Sequence, residues 1–168
     1  MRPVPWRNGQ GVTRDIMTVT GPDGDMRWQV GIADLERDSP FSDFSGYDRV
    51  FTPIAGEVAL AFDGGAFEAC PVLVPFAFAG ERATLCRVAA PGRAFNVVVD
   101  RRYHRGEAAV LRLSPGDAVP SRPAVMILHV LSGRLQCESG PIGPGDTAID
   151  DGPATALEPS VAICASID

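Results

Sequence analysis

The cationic side chains carry the most distinctive chemistry in this chain. All fifteen basic residues are arginine, and lysine is absent. That excludes a catalytic Schiff base, lysine-bound pyridoxal phosphate and the lysine of a phosphate-binding loop. Arginine offers instead a planar fork that grips a carboxylate through paired hydrogen bonds. Arg7 and Arg14 flank Gly9 and Gly11 in the stretch Pro5–Asp15, which also holds Trp6, Asn8 and Thr13. Arg49 closes a loop that runs through Ser42 and Phe44, with Asp48 beside it. Arg101 and Arg102 follow the apolar run Phe95–Val99, which carries Asn96. Side chains alternate along a strand, so Thr13 and Arg14 face opposite ways. By the same rule, only one of Asn96 and Arg101 can look into a barrel. The competing expectation is that these arginines pair with Asp15, Asp48 and Asp100 at the surface.

Other chemistries find less support. The chain has two histidines, His104 and His129, and the stretch Arg49–Asp63 has none. Asp48, Glu57 and Asp63 remain there, but carboxylates alone suit transition metals poorly. No metal and no cofactor is predicted. Neither Gly-x-Ser-x-Gly nor a dinucleotide fingerprint occurs. The cysteines Cys70, Cys86, Cys137 and Cys164 form no Cys-x-x-Cys pair, and the expectation is four buried free thiols. A net charge of −6 argues against a nucleic-acid partner. No apolar run approaches the length of a membrane span, and Ala124–Leu131 already contains His129. The N-terminus is polar and lacks the apolar core of a signal peptide, so a cytoplasmic location is expected.

The elements that must position these residues are short strands. Met26, Trp28, Val30 and Ile32 alternate with Arg27, Gln29, Gly31 and Ala33, the pattern of a half-buried strand. Gly21-Pro22-Asp23-Gly24 predicts a hairpin joining it to Val12–Thr20. Strand-like runs recur at Arg49–Ile54, Glu57–Phe62, Val72–Phe78, Ala83–Ala89, Phe95–Val99 and Glu107–Leu113. They return at Val125–Val130, Arg134–Glu138, Thr147–Ile149 and Val161–Ala165, with glycine or proline in nearly every gap. No apolar stripe of helical period extends over ten residues. Ile54–Leu60 is echoed by Leu131–Cys137, each with a glycine, a charge and then alternation. This predicts an all-β chain, either a generic sandwich or a bicupin of two jelly-roll barrels. A bicupin would divide into residues 1–102 and 103–168 within one compact unit.

Several stretches together resemble the HutD/Ves family, a metal-free bicupin group. They are Pro5–Asp15, Trp28–Ala33, Pro40–Arg49, Pro75–Glu81 with Cys86-Arg87, and Phe95–Val99 with Arg101-Arg102. The match covers residues 5 to 102 well, and the C-terminal half resembles the family only as a degenerate β-half. The resemblance implies a bacterial protein associated with histidine utilisation. It implies a binding or regulatory role toward a small acidic metabolite, such as a formylglutamate-like acid. The residue types suit such a ligand. Arg14 or Arg49 would supply the fork, while Asn8, Thr13, Ser42 and Asn96 would read amide or formyl oxygens. Trp6, Phe44, Phe76 and Phe78 would wall the cavity. Asp48 and Arg101 complete the candidate set. The opening stretch and the loop Pro40–Arg49 are expected to meet over one β-half, with Arg14 facing the ligand. The alternative is a metal-independent hydrolase or isomerase using Asp48 or His104 as general acid or base. Homodimerisation is left open.

Overall fold

Alternation and punctuation turn this sequence into strands throughout. The computed structural model describes residues 2–5, 11–120 and 125–168, and among them there is no helix. Hence no helix is long and apolar enough to cross a membrane among the described residues. The chain divides into two units, Met1–Gly106 and Glu107–Asp168. The first contains β1 (Arg2–Pro5), β2 (Val12–Thr20), β3 (Met26–Leu35), β4 (Ser39–Pro40), β5 (Tyr47–Phe62), β6 (Glu68–Cys70), β7 (Phe76–Ala79) and β8 (Thr84–Asp100). They form one sheet in the order β1-β2-β3-β8-β5-β6, with β4 on β8 and β7 on β5. The second unit contains all but the first residue of β9 (Gly106–Leu113), then β10 (Val125–Ser132), β11 (Leu135–Cys137), β12 (Gly140–Ile142), β13 (Thr147–Ile149), β14 (Thr155–Ala156) and β15 (Ser160–Ile167). Its sheets run β13-β10-β15-β9 and β12-β11-β14.

The Gly21–Gly24 turn folds β2 onto β3 as the sequence predicts, with Thr13 opposite Ala33. Elsewhere the punctuation misleads. Arg49–Ile54 and Glu57–Phe62 are one bent strand, β5. Ala83–Ala89 and Phe95–Val99 are likewise one strand, β8. Glycine and proline mark bulges here, not breaks. The β5–β8 register shifts between Pro53 and Ala55, and again on either side of Glu57. Gly56 has φ 87° at this bend, a backbone that favours glycine. Val72–Phe78 is not a strand. Leu73 turns the chain with φ 65°, and pairing begins only at Phe76, beyond Pro75.

Each unit has its own apolar core. In the first, Phe51, Leu60, Ala94, Cys70 and Cys86 are buried together, with Phe41, Phe62, Phe76 and Phe78 packed against them. In the second, Val130, Leu135, Ala156 and Ala162 are buried with Cys137 and Cys164. All four cysteines are free and buried. Burial pushes the Cys86 thiol up to about 12, with smaller upward contributions from Cys70 and Asp38. Burial also raises Cys70 and Cys137. A thiolate is the reactive form, so the native protein is expected to resist an aromatic disulfide reagent at pH 8. The denatured, unreduced chain should then titrate four thiols, and two or none would mean a disulfide.

At the end of β8 a buried carboxylate secures the chain. Asp100 is wholly buried and accepts hydrogen bonds from Arg102 Nη2 at 2.6 Å and the Arg102 backbone N–H at 3.0 Å. Arg27 approaches it at 4.0 Å. Hydrogen bonding from Arg102 holds the Asp100 carboxyl down at about 2. An unfolded aspartate titrates near 3.9, so the folded state binds the proton less well. The stabilisation from Asp100 is therefore complete above about pH 4 and lost as pH falls toward 2. Asp100→Asn should flatten the acid arm of a stability-versus-pH curve over that window. An unchanged arm would contradict this assignment.

Candidate functional site

Five adjacent strands of the first unit turn one face toward a cavity of about 180 Å³. Alternation selects its walls. On β3, Gln29, Gly31 and Ala33 face it while Trp28, Val30 and Ile32 are buried on the other side. On β8, Asn96 lies opposite Gly31 and Val98 opposite Gln29. On β5, Arg49 lies opposite Val98 and Phe51 opposite Asn96. Thr13 of β2 and Val4 of β1 extend the wall, and Phe41, Ser42 and Phe44 close it from the loop after β4. Gly31 keeps the middle open: a Cβ there would meet Thr13 Cγ2 at 2.6 Å.

Arg49 dominates the site. Its side chain is buried, with 9% of the residue exposed. The guanidinium lies over the Phe41 ring at 4.1 Å, with the Phe51 and Phe78 rings at 5.9 and 5.8 Å. Its Nε and Nη2 both donate to Asn96 Oδ1, at 3.1 and 2.7 Å. No carboxylate lies within ion-pairing distance of Arg49 among the described residues. Burial lowers its pKa to about 10, so it remains a cation at neutral pH. A buried cation without a counter-charge is costly unless something pairs with it. Here the cavity places it where an anion can enter.

Several of the sequence-predicted residues meet here, and others do not. Thr13, Ser42, Phe44, Arg49 and Asn96 line the cavity. Trp6 and Asn8 lie outside the described residues. Arg14, expected to face the ligand, does not line this cavity. Thr13 takes the inward side of β2, so Arg14 points outward, half exposed, and pairs with Asp34 at 3.1 Å. Between Asn96 and Arg101, Asn96 faces the cavity. Arg101 is clamped by Glu81, with Nη1 at 2.8 Å and Nη2 at 2.6 Å, and it reaches Asp48 at 3.2 Å. Asp48 is thus engaged outside the cavity. Phe78 packs behind the guanidinium against Phe62, with ring centroids 5.1 Å apart.

Gln29, Gly31 and Ala33 also line the cavity but stand outside the candidate set, because the outward face of a half-buried strand reads as solvent-facing. That face carries mostly small or uncharged residues, and this was the available signal. Gln29 is held by Asp15, its Nε2 donating to Oδ1 at 3.0 Å. His129 lies in the second unit, buried, with Nδ1 2.8 Å from Thr147 Oγ1. Among the described residues, no group of three or more His, Cys, Asp or Glu side chains is placed to hold a metal ion.

The fold and the chain have relatives. HutD from Pseudomonas fluorescens superposes with a TM-score of 0.83 at 24% identity, over 99% of this chain and 92% of that one. A cupin 2 conserved barrel domain protein from Leptotrichia buccalis superposes with a TM-score of 0.64 at 10% identity, over 99% and 95%. These likenesses give the fold: a cupin-like, all-β barrel architecture. In sequence, the chain is 33% identical over 135 residues to protein Ves of Cronobacter sakazakii, covering 78% of this chain and 72% of that one. It is also 33% identical over 105 residues to an uncharacterized 21.2 kDa protein in the hutC 3′ region of Pseudomonas putida. That alignment covers 61% of this chain and 55% of the relative, so the chain spans about half the relative's length. The HutD family model matches residues 1–164, and the chain belongs to the HutD family.

Proposed function

We propose that this protein binds a small acidic metabolite in the Arg49 cavity and acts as a sensor or regulator linked to histidine utilisation. The observation that carries this reading is the buried guanidinium, held by a neutral amide and open to the cavity. A carboxylate would supply the missing counter-charge through a bidentate contact. The cavity is smaller than the 300–1,000 Å³ or so typical of drug-sized ligands, which suits a small acid. Thr13 and Ser42 offer hydroxyls to its polar remainder. Family membership and the relative in a hutC 3′ region support the pathway, and a formylglutamate-like acid is the ligand of choice. Binding is preferred to catalysis, because Asp48 is tied to Arg101 and does not line the cavity. We further read the two units, each with its own core, as the two barrels of a bicupin acting in the cytoplasm.

A thermal-shift panel tests the ligand class. At a hundredfold excess over its Kd, a ligand stabilises by about 2.7 kcal/mol. For a chain of this size that raises Tm by roughly 5–10 °C. Small mono- and dicarboxylic acids, formylglutamate among them, should include at least one that does so. A panel in which no acid shifts Tm would overturn the reading.

A further inference from the structure

We infer that Asn96 is a positioning residue that holds the Arg49 guanidinium through a neutral acceptor, leaving its charge for a ligand; this rests on the acid-binding reading above. Asn96 Oδ1 accepts from both Nε and Nη2 of Arg49. Its own amide is oriented by the backbone, since Nδ2 donates to the Ala94 carbonyl at 3.1 Å. That bond fixes which end of the amide faces the arginine. Asn96 is itself buried and lies on the cavity-facing row of β8. With Phe41 beneath the plane and Asn96 at one edge, the guanidinium is locked in place before any ligand arrives. Such preorganisation is what a binding site needs from its supporting residues.

The neutrality of the clamp sets it apart from the arginines of this unit that a carboxylate holds: Arg101 by Glu81, Arg14 by Asp34, Arg82 by Asp63, Arg102 by Asp100 and Arg27 by Asp23. An aspartate at position 96 could accept the same two hydrogen bonds, but would neutralise the cation and act as an internal competitor for the ligand. Asparagine gives the geometry without the charge.

The experiment compares wild type, Arg49→Ala, Asn96→Asp and Asn96→Ala, with sodium propionate as the probe. Propionate affinity is read by calorimetric titration. The Arg49 Nε–H signal is read by nitrogen-15 NMR without ligand. Wild type should show an Nε–H protected from exchange and should bind propionate. Asn96→Asp should keep the protected signal yet bind propionate at least tenfold more weakly. Asn96→Ala should lose both the protection and at least tenfold in affinity. If Arg49→Ala binds propionate as wild type does, or wild type does not bind it, the acid-binding reading falls. If Arg49→Ala loses binding but both Asn96 variants keep it, the inference falls alone. An unchanged Nε–H signal in Asn96→Ala overturns the inference whatever the binding result.

Discussion

Replacing Arg49 with methionine is expected to remove acid binding while leaving the protein folded. A charge-assisted hydrogen-bonded contact contributes about 1.5–3 kcal/mol, roughly a tenfold to hundredfold loss of affinity when deleted. The fold has less to lose. Burial already disfavours the Arg49 cation enough to lower its pKa to about 10. Apolar replacements of buried charges are often neutral or stabilising. Methionine is a flexible thioether that packs well against rings, and Phe41, Phe51 and Phe78 surround the site. Arg49→Lys keeps the charge but loses the fork, so it too should bind more weakly than wild type. Titration calorimetry and melting curves on the three proteins check this. An Arg49→Met protein that fails to fold would make the arginine structural.

Gly92→Ala should have the largest effect on stability. A Cβ at Gly92 would sit 1.9 Å from the Ala55 carbonyl oxygen and 2.6 Å from Gly56 Cα. Both obstacles are backbone, so no side chain can swing aside. The register shifts of β5 against β8 occur at this crossing. Overpacking a well-filled site typically costs about 1–3 kcal/mol, and a rigid backbone clash places this substitution at or above the upper end. The two strands it would pry apart are those that carry Arg49 and Asn96. Ligand affinity and Tm should therefore fall together, in contrast to Arg49→Met, which separates them. A melting temperature within 2–3 °C of wild type, a loss of about 1 kcal/mol or less, would show that the crossing relaxes.

Much of this was legible in the sequence, and the failures have physical causes. The hairpin of β2 and β3 follows from one turn signal and period-two alternation. The same alternation separates Asn96 from Arg101, and the structure puts Asn96 on the cavity side. Arg14 was the more attractive fork because it neighbours the glycines, yet alternation had already put it opposite Thr13. Asp34, its actual partner, sits across the hairpin on β3, a pairing that spacing alone does not disclose. Gly56 and Gly92 read as strand ends because a turn and a bulge use the same residues. Only the cross-strand register distinguishes them. The choice of Arg49 over Arg14 was hidden for a similar reason. Its partner is an amide 47 residues away, and what matters is the lack of a carboxylate around it.

On the acid-binding proposal, an uncompensated cation in an apolar-walled cavity selects a negative charge. The most direct measurement compares propionate with propionamide, which have nearly the same shape and differ in charge, by calorimetric titration of the wild-type protein at pH 7. Propionate is expected to bind at least tenfold more tightly than the amide, and the preference should vanish in Arg49→Met. Equal affinities for acid and amide in the wild-type protein would contradict the account.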